Sequence, residues 1–390
     1  MNLFVDASYS AINKYGEELC GDKVDIVRND DSVIVVLADG LGSGVKASIL
    51  STLTSKIIGT MLLHGATIDE AVETIANTLP VCKVRELAYC TFSILQIFKS
   101  QEAYLVQFDN PLVVRLRNGE LVDIKTTERK INGRRLLESR LKVTHDDVFM
   151  MVSDGVIHAG VGGVLNLGWE WEHVAEYLET MYKPDLSAHS VSKHMLSVCN
   201  DLYMRKPGDD TTVVTVKIRT PEIVNVMVGP PVDKDKDSII VNKFIKEEGK
   251  KVVCGGTTSQ IVSRVTGKKM ETNFDYIHPS IPPIANLEGV DLTTEGVLTL
   301  GKTLECIRRY MSHYNELEDN LNLEGKDGVS RLSKILLEES TSIHFFVGRA
   351  MNPAHQNPEF PLDLGIKLKL VDEIIKHLKS LGKDVVVEYY

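Results

Sequence analysis

Residues 32–44, SVIVVLADGLGSG, decide how this chain folds and what it can hold. After Ser32 the next six are apolar and rich in β-branched side chains, the signature of a short buried strand. Asp39 stands at the strand's tip, and Gly40, Gly42 and Gly44 then let the chain turn sharply into a following segment. Three more aspartates stand at strand tips: Asp22 in CGDKVDIV, Asp154 in VFMMVSDGV and Asp209 in GDDTTVVTV. Taken singly, an aspartate beside glycine is an ordinary turn former. Taken together, four carboxylates on strand-ending turns can converge on one point. Hard divalent cations such as Mg²⁺ and Mn²⁺ take oxygen ligands of this kind. Two such ions about 3.5–4 Å apart can activate a water and clamp a phosphoryl group.

Outward from this run the first half alternates strand and helix signals. The segment from Val45 to Gly65 carries Val45, Ile49, Leu53, Ile57 and Met61 at helical spacing, and TIDEAVETIANTL reads as a second helix capped by Thr67 or Asp69. Residues 89–98, 102–108 and 111–117 read as three strands, with NGE at 118–120 as a hairpin turn. Another buried strand leads to Asp154, two helices follow near 170–182 and 187–204, and TTVVTVKIR closes this half. The expected fold is α+β: a mostly antiparallel sandwich with helices on its outer faces.

A boundary is expected at Thr220-Pro221-Glu222, giving domains 1–220 and 221–390. Beyond it the strand VNVMVG, a helix over DSIIVNKFIKEEG, the strand KKVVCGG and a helix over TSQIVSRVTG succeed one another. Helices near 293–312 and 329–338, the strand SIHFFVG, a helix over LKLVDEIIKHLKSLG and the strand KDVVVEYY complete the chain. This βα alternation predicts a second, Rossmann-like α/β domain with a parallel sheet. No internal repeat links the halves.

With 390 residues, 43% hydrophobic and 25% charged, the chain suits two globular cores. Its net charge of −10 argues against nucleic-acid binding. No apolar run is long enough to span a membrane, and the N-terminus lacks signal-peptide features, so a cytoplasmic location is expected. The six scattered cysteines contain no C-x-x-C pair and read as reduced thiols.

The ordered motifs resemble the metal-dependent protein phosphatases of type 2C, and more closely their bacterial branch typified by stage II sporulation protein E. The matching pieces are Gly21-Asp22, Ala38-Asp39-Gly40-Leu41-Gly42-Ser43-Gly44 with Ala47 and Ser51, Tyr89-Cys90-Thr91-Phe92, Ser153-Asp154-Gly155 and Asp209-Asp210-Thr211-Thr212. They span residues 1–219 and imply an αββα sandwich. By that resemblance Asp39 bridges two Mn²⁺ or Mg²⁺ ions, the Gly40 carbonyl binds the first, and Asp154 and Asp209 hold the second. Asp22 acts directly or through water. The implied reaction is hydrolysis of serine or threonine phosphate in a phosphoprotein by metal-activated water, with no phospho-enzyme. The usual substrates of the bacterial branch are anti-sigma-factor antagonists, although no residue here selects them.

Asp210 reads as a neighbour of the ligands or a turn cap, and Asp146 and Asp147 as turn residues. Backbone N–H groups at Gly42, Ser43 and Gly44 offer an anion a contact, because a helix start favours negative charge. Eukaryotic type 2C enzymes hold the phosphate with an N-terminal arginine. Arg28, beyond Asp22, does not fit that role, so phosphate recognition has no assigned residue. In the second half Gly255 and Gly256 open a helix after a strand, a place where a small anionic ligand can bind. The plain alternative is a βα turn capped by Thr257 or Thr258. Gly229-Pro230-Pro231 and Arg349 could border the same crevice. Two other functions compete with a phosphatase: a non-catalytic phosphatase-fold signalling scaffold, and a small-molecule enzyme in the C-terminal domain regulated by the first.

Overall fold

The computed structural model describes residues 3–78, 90–131, 133–272, 280–311, 321–350 and 363–390. Contacts divide the chain into two compact units, one within Met1–Thr220 and one beginning at Pro221.

The first unit runs β1 (Phe4–Ile12), β2 (Asp22–Arg28), β3 (Ser32–Gly40), α1 (Gly44–Leu63), α2 (Ile68–Thr78), β4 (Cys90–Phe98), β5 (Glu102–Phe108), β6 (Val114–Arg117), β7 (Glu120–Leu121), β8 (Thr127–Ile131), β9 (Arg134–Lys142), β10 (Asp147–Val152), α3 (Asp154–Ile157), α4 (Trp171–Met181), α5 (Ala188–Leu202) and β11 (Thr211–Arg219). One sheet has the order β1-β11-β10-β6-β7 and the other β2-β3-β4-β5-β9-β8. Neighbouring strands within both are antiparallel.

The two sheets face each other through Val35, Leu37, Leu95 and Ile97 on one side and Phe149, Met151, Val214 and Val216 on the other. The alternate residues of β3, namely Ile34, Val36 and Ala38, pack outward against α1 and α2. Val148, Met150 and Val152 pack outward against α4 and α5. Both faces of β3 and β10 are thus covered, which is why their sequences are continuously apolar rather than alternating. The layers are helix, sheet, sheet, helix, the expected αββα sandwich.

Several local features differ from the sequence reading. Helix α1 forms, but Val45, Ile49 and Leu53 of its apolar stripe are 63%, 54% and 44% exposed. The buried face is instead Ala47, Leu50, Ser51, Thr54, Ser55, Ile58, Gly59 and Leu62. Small residues let the helix lie close on β2 and β3. A Cβ on Gly59 would fall 2.8 Å from Asp25 Oδ2, while Lys56 Nζ reaches Asp25 Oδ1 at 2.6 Å. Strands β8 and β9 have no apolar run to announce them, since TERKI and RRLLESRLK are mostly charged or polar.

Asp146 is a turn residue, with φ +65°. Asp147 is not. It is fully buried and bridges Arg115 and Arg117, while accepting the Thr144 N–H at 2.7 Å. Burial pushes its pKa up, but the bonds from Arg117 and Arg115 outweigh that and leave it below the usual carboxylate range. Asn118 and Gly119, both at positive φ, form the tight turn expected at 118–120. Tyr89, counted in the strand reading, lies outside the described residues.

The second unit runs β12 (Ile223–Val228), α6 (Asp237–Lys246), β13 (Lys250–Cys254), α7 (Gly256–Thr266), β14 (Met270–Thr272), β15 (Ala285–Leu287), β16 (Val290–Thr294), α8 (Val297–Tyr310), α9 (Gly328–Lys334), β17 (Ser342–Val347), α10 (Asp363–Ser380) and β18 (Asp384–Tyr389). Its sheet order is β14-β15-β16-β13-β12-β17-β18. The five strands from β16 to β18 are parallel, and β15 and β14 add an antiparallel edge. Helices α6 and α7 cover one face, and α8, α9 and α10 the other. Thr293 and Thr294, read as the start of a helix, end β16 instead, and α8 begins at Val297.

Two stability outcomes follow. Asp147→Ala strands Arg115, 7% exposed, as an unpaired buried cation and should cost about 3–5 kcal/mol in urea unfolding. Ile49→Ser should change stability by less than about 0.5 kcal/mol, because that side chain faces solvent.

Candidate active site

The register of the sheets places the acids. Asp22 lies directly opposite Asp39 across β2 and β3, and Gly40 opposite Cys90 across β4. Gly40 N–H donates to the Gly21 carbonyl at 3.2 Å. A Cβ on Gly40 would sit 2.2 Å from the Ala47 carbonyl oxygen, so only glycine lets α1 start this close to the strand tip.

From the other sheet, β10 ends at Val152, Ser153 is the N-cap residue, and Asp154 opens the single-turn α3. A Cβ on Gly155 would fall 2.1 Å from the Asp210 carbonyl oxygen, so this turn and the Asp209-Asp210 turn are in direct contact. Ser153 and Thr212 tie them further, by Ser153 N–H to Thr212 O and Thr212 N–H to Ser153 Oγ. The Tyr203 hydroxyl donates to the Gly155 carbonyl at 2.7 Å.

Electrostatics join the two halves of the cluster. Asp39 is pushed far above the carboxylate range, first by burial and then by the charges of Asp22, Asp154 and Asp209. Burial likewise raises Asp22 to about 7, the Thr212 and Ser153 hydroxyls pulling against it and Asp210 and Asp154 adding to it. Asp154 is raised by burial and by Asp209, with His158 opposing. Both oxygens of Asp22 and Oδ2 of Asp210 are buried without a hydrogen-bond partner of ordinary geometry.

The four expected residues therefore share one electrostatic neighbourhood. Among the described residues, however, no three histidine, cysteine or acidic side chains are drawn close enough to hold a metal ion as they stand. Asp39 instead stands beside Asp22 and Asp154, whose proximity contributes to its shift. Partnerless buried carboxylate oxygens of raised pKa are what a cation would ionise and satisfy, so the residues fit a divalent metal.

Other residues take parts the sequence did not show. Asp210 accepts the Lys14 N–H at 3.0 Å and lies against Gly21, joining the loop before Asp22 to the loop of Asp209. Lys14 Nζ stands 4.0 Å from Asp209 Oδ1. Glu17 lies against the start of α1: it accepts from the Ser43 hydroxyl, and a Cβ on Gly44 would meet its carboxylate at 2.5 Å. An internal carboxylate thus stands where Gly42 to Gly44 offered an anion their N–H groups. Arg28 donates to the Val5 carbonyl at 3.0 Å. Spacing alone could not find Lys14 or Glu17, since both act from an irregular loop.

In the second unit Gly255, at φ +116°, is itself the N-cap of α7, so neither Thr257 nor Thr258 caps it. Gly229 and Gly348 directly follow adjacent parallel strands, and Lys367 Nζ donates to the Gly348 carbonyl at 2.8 Å. The Arg349 guanidinium lies 4.5 Å from the centre of the Tyr389 ring, which it covers.

Residues 29–219 match the family model described as stage II sporulation protein E. Among solved structures, the chain is similar to the type 2C phosphatase domain, with a fragment of the regulatory domain, of the Bacillus subtilis cell-fate determinant SpoIIE. Identity is 17% and the TM-score 0.48, over 56% of this chain and 64% of that one, less than two thirds of its length. The Bacillus subtilis phosphatase domain alone matches at 18% identity and TM-score 0.45, over 56% of this chain and 95% of that one. The RsbU and RsbW domains of a Mycobacterium tuberculosis protein match at 15% identity and TM-score 0.49, over 62% and 68% of the two chains. No curated protein matches this chain.

The raised acids give a pH dependence. A carboxyl whose folded pKa exceeds its unfolded one binds more protons when folded, so stability falls as pH rises between the two values. For Asp22 that window runs from the ordinary carboxylate range to about 7, and for Asp39 it extends higher. In EDTA, the melting temperature should fall from pH 5 to pH 8 more steeply for wild type than for Asp39→Asn. Equal slopes would mean that Asp39 is solvated.

Proposed function

Because residues 29–219 match the family model described as stage II sporulation protein E, we propose that the first unit is a metal-dependent serine/threonine phosphoprotein phosphatase acting in bacterial signalling. One observation carries the proposal: the charges of Asp22, Asp154 and Asp209 all oppose ionisation of Asp39, and both oxygens of the buried Asp22 beside it lack a hydrogen-bond partner of ordinary geometry. Carboxylates in that state are held for a cation, not for the fold.

Asp22, Asp39, Asp154, Asp209 and the Gly40 carbonyl would hold two Mn²⁺ or Mg²⁺ ions. When bound, such ions supply a water nucleophile at neutral pH and offset charge on the phosphoryl oxygens. The chain's own contribution is positional. The Asp22–Asp39 register fixes one pair of acids on the second sheet. The contact of Gly155 with the Asp210 backbone fixes the other pair on the first. Glu17 keeps the start of α1 from taking up a competing anion. A phosphoprotein, for instance an anti-sigma-factor antagonist, is the substrate this reading favours, in the cytoplasm. The second unit would sense a small anionic ligand near Gly255 and Gly256 or bind a partner.

Wild type should release phosphate from a phosphoserine protein and from p-nitrophenyl phosphate only with Mn²⁺ or Mg²⁺, and Asp39→Asn should lower kcat by about 10³-fold or more. Equal rates in both proteins would end the enzyme reading. Calorimetry separates the scaffold alternative, which predicts little Mn²⁺ uptake by wild type.

A further inference from the structure

The loop between β1 and β2 borders the acidic cluster and is unusually well fixed. The Asn13 side-chain amide donates to the Glu18 carbonyl at 2.9 Å, Lys14 N–H to Asp210 Oδ1 at 3.0 Å, and Tyr15 N–H to the Pro207 carbonyl at 2.8 Å. Yet the loop turns its largest side chain outward: Tyr15 is 65% exposed. Lys206, from the loop that leads to Asp209, sets its ammonium 5.5 Å from the centre of the Tyr15 ring. Lys14, next to Tyr15 in the chain, has its Nζ 4.0 Å from Asp209 Oδ1, with its side chain 39% exposed. The loop's own Glu17 is engaged with Ser43.

The result is a short edge reading ammonium, aromatic ring, ammonium, attached through Asp209 and Asp210 to the carboxylates themselves. In a chain of net charge −10 a paired cationic edge needs a reason. Folding does not supply one, because the loop is held by backbone groups and the Asn13 and Asp210 side chains, not by Tyr15 or Lys206. A rigid exposed aromatic beside fixed cations is a contact surface of low ordering cost.

We propose that Lys14, Tyr15 and Lys206 form the edge on which the phosphoprotein substrate docks, and that it selects phosphorylated segments with acidic flanking residues. Lys14, nearest the cluster, meets the phosphoryl group, while Tyr15 and Lys206 meet the acidic residues beside it. The inference rests on the phosphatase reading and adds the substrate class.

The test uses the full chain with Mn²⁺ and three substrates: a phosphoserine peptide with acidic flanks, one with neutral flanks, and p-nitrophenyl phosphate. Lys206→Glu and Tyr15→Ala should each lower kcat/KM for the acidic peptide about tenfold through KM. Hydrolysis of p-nitrophenyl phosphate and Mn²⁺ affinity by calorimetry should stay as in wild type. Unchanged acidic-peptide kinetics, or an equal loss on all three substrates, would overturn the docking edge. Should wild type hydrolyse nothing, the phosphatase reading fails on its own. The edge is then still read by fluorescence anisotropy of the labelled acidic peptide: weaker binding by Lys206→Glu supports it, and equal binding refutes it.

Discussion

Mutual repulsion among carboxylates is the constraint around which the first unit is organised. Asp22 and Asp39 arrive from one sheet, Asp154 and Asp209 from the other, and each raises the cost of ionising another. Such a cluster persists only if the surrounding structure is over-determined. Here it is. The tip of β3 is fixed by its register with β2 and β4, and the turn at Asp154 is pinned to the turn at Asp210 by backbone contact and two hydrogen bonds. The apolar layer between the sheets, with Val35, Leu37, Phe149 and Met151, holds the two sheets that carry these turns against each other.

The glycines of the site work by the space they leave. Gly40 and Gly155 sit where a single methyl group would collide with backbone oxygen atoms at 2.2 and 2.1 Å. At Gly40 the neighbour is the first turns of α1, and at Gly155 the loop of Asp210. Both glycines follow an aspartate of the cluster, so close backbone approach and placement of a carboxylate are one structural requirement.

Charge elsewhere is handled differently. Asp147 is buried like Asp22, but two arginines meet it and its pKa falls, whereas burial and the neighbouring acids Asp210 and Asp154 raise that of Asp22. The same side chain in two buried places thus separates a structural acid from a candidate ligand. The sign of the shift distinguishes them; burial alone does not.

Much of this was legible in the residues. The β-branched run before Asp39, the glycines after it, and the ordered recurrence of aspartate at strand tips pointed to the sandwich and to the candidate acids, because strand periodicity and turn chemistry are local properties, whereas the mostly charged or polar β8 and β9 gave no such signal. The βα alternation after residue 221 likewise determined a parallel sheet. Tertiary structure alone decided the rest. Which face of α1 is buried depends on how closely β2 and β3 approach it, and that reverses what the stripe of Val45, Ile49 and Leu53 suggests. Whether Asp147 is a turn or a buried bridge depends on Arg115 and Arg117, some 30 residues earlier in the chain. The neighbours of the cluster, Lys14, Glu17 and Tyr203, come from loops and a helix end that carry no periodic signal. Only long-range packing brings them to the acids, and no spacing along the chain encodes it.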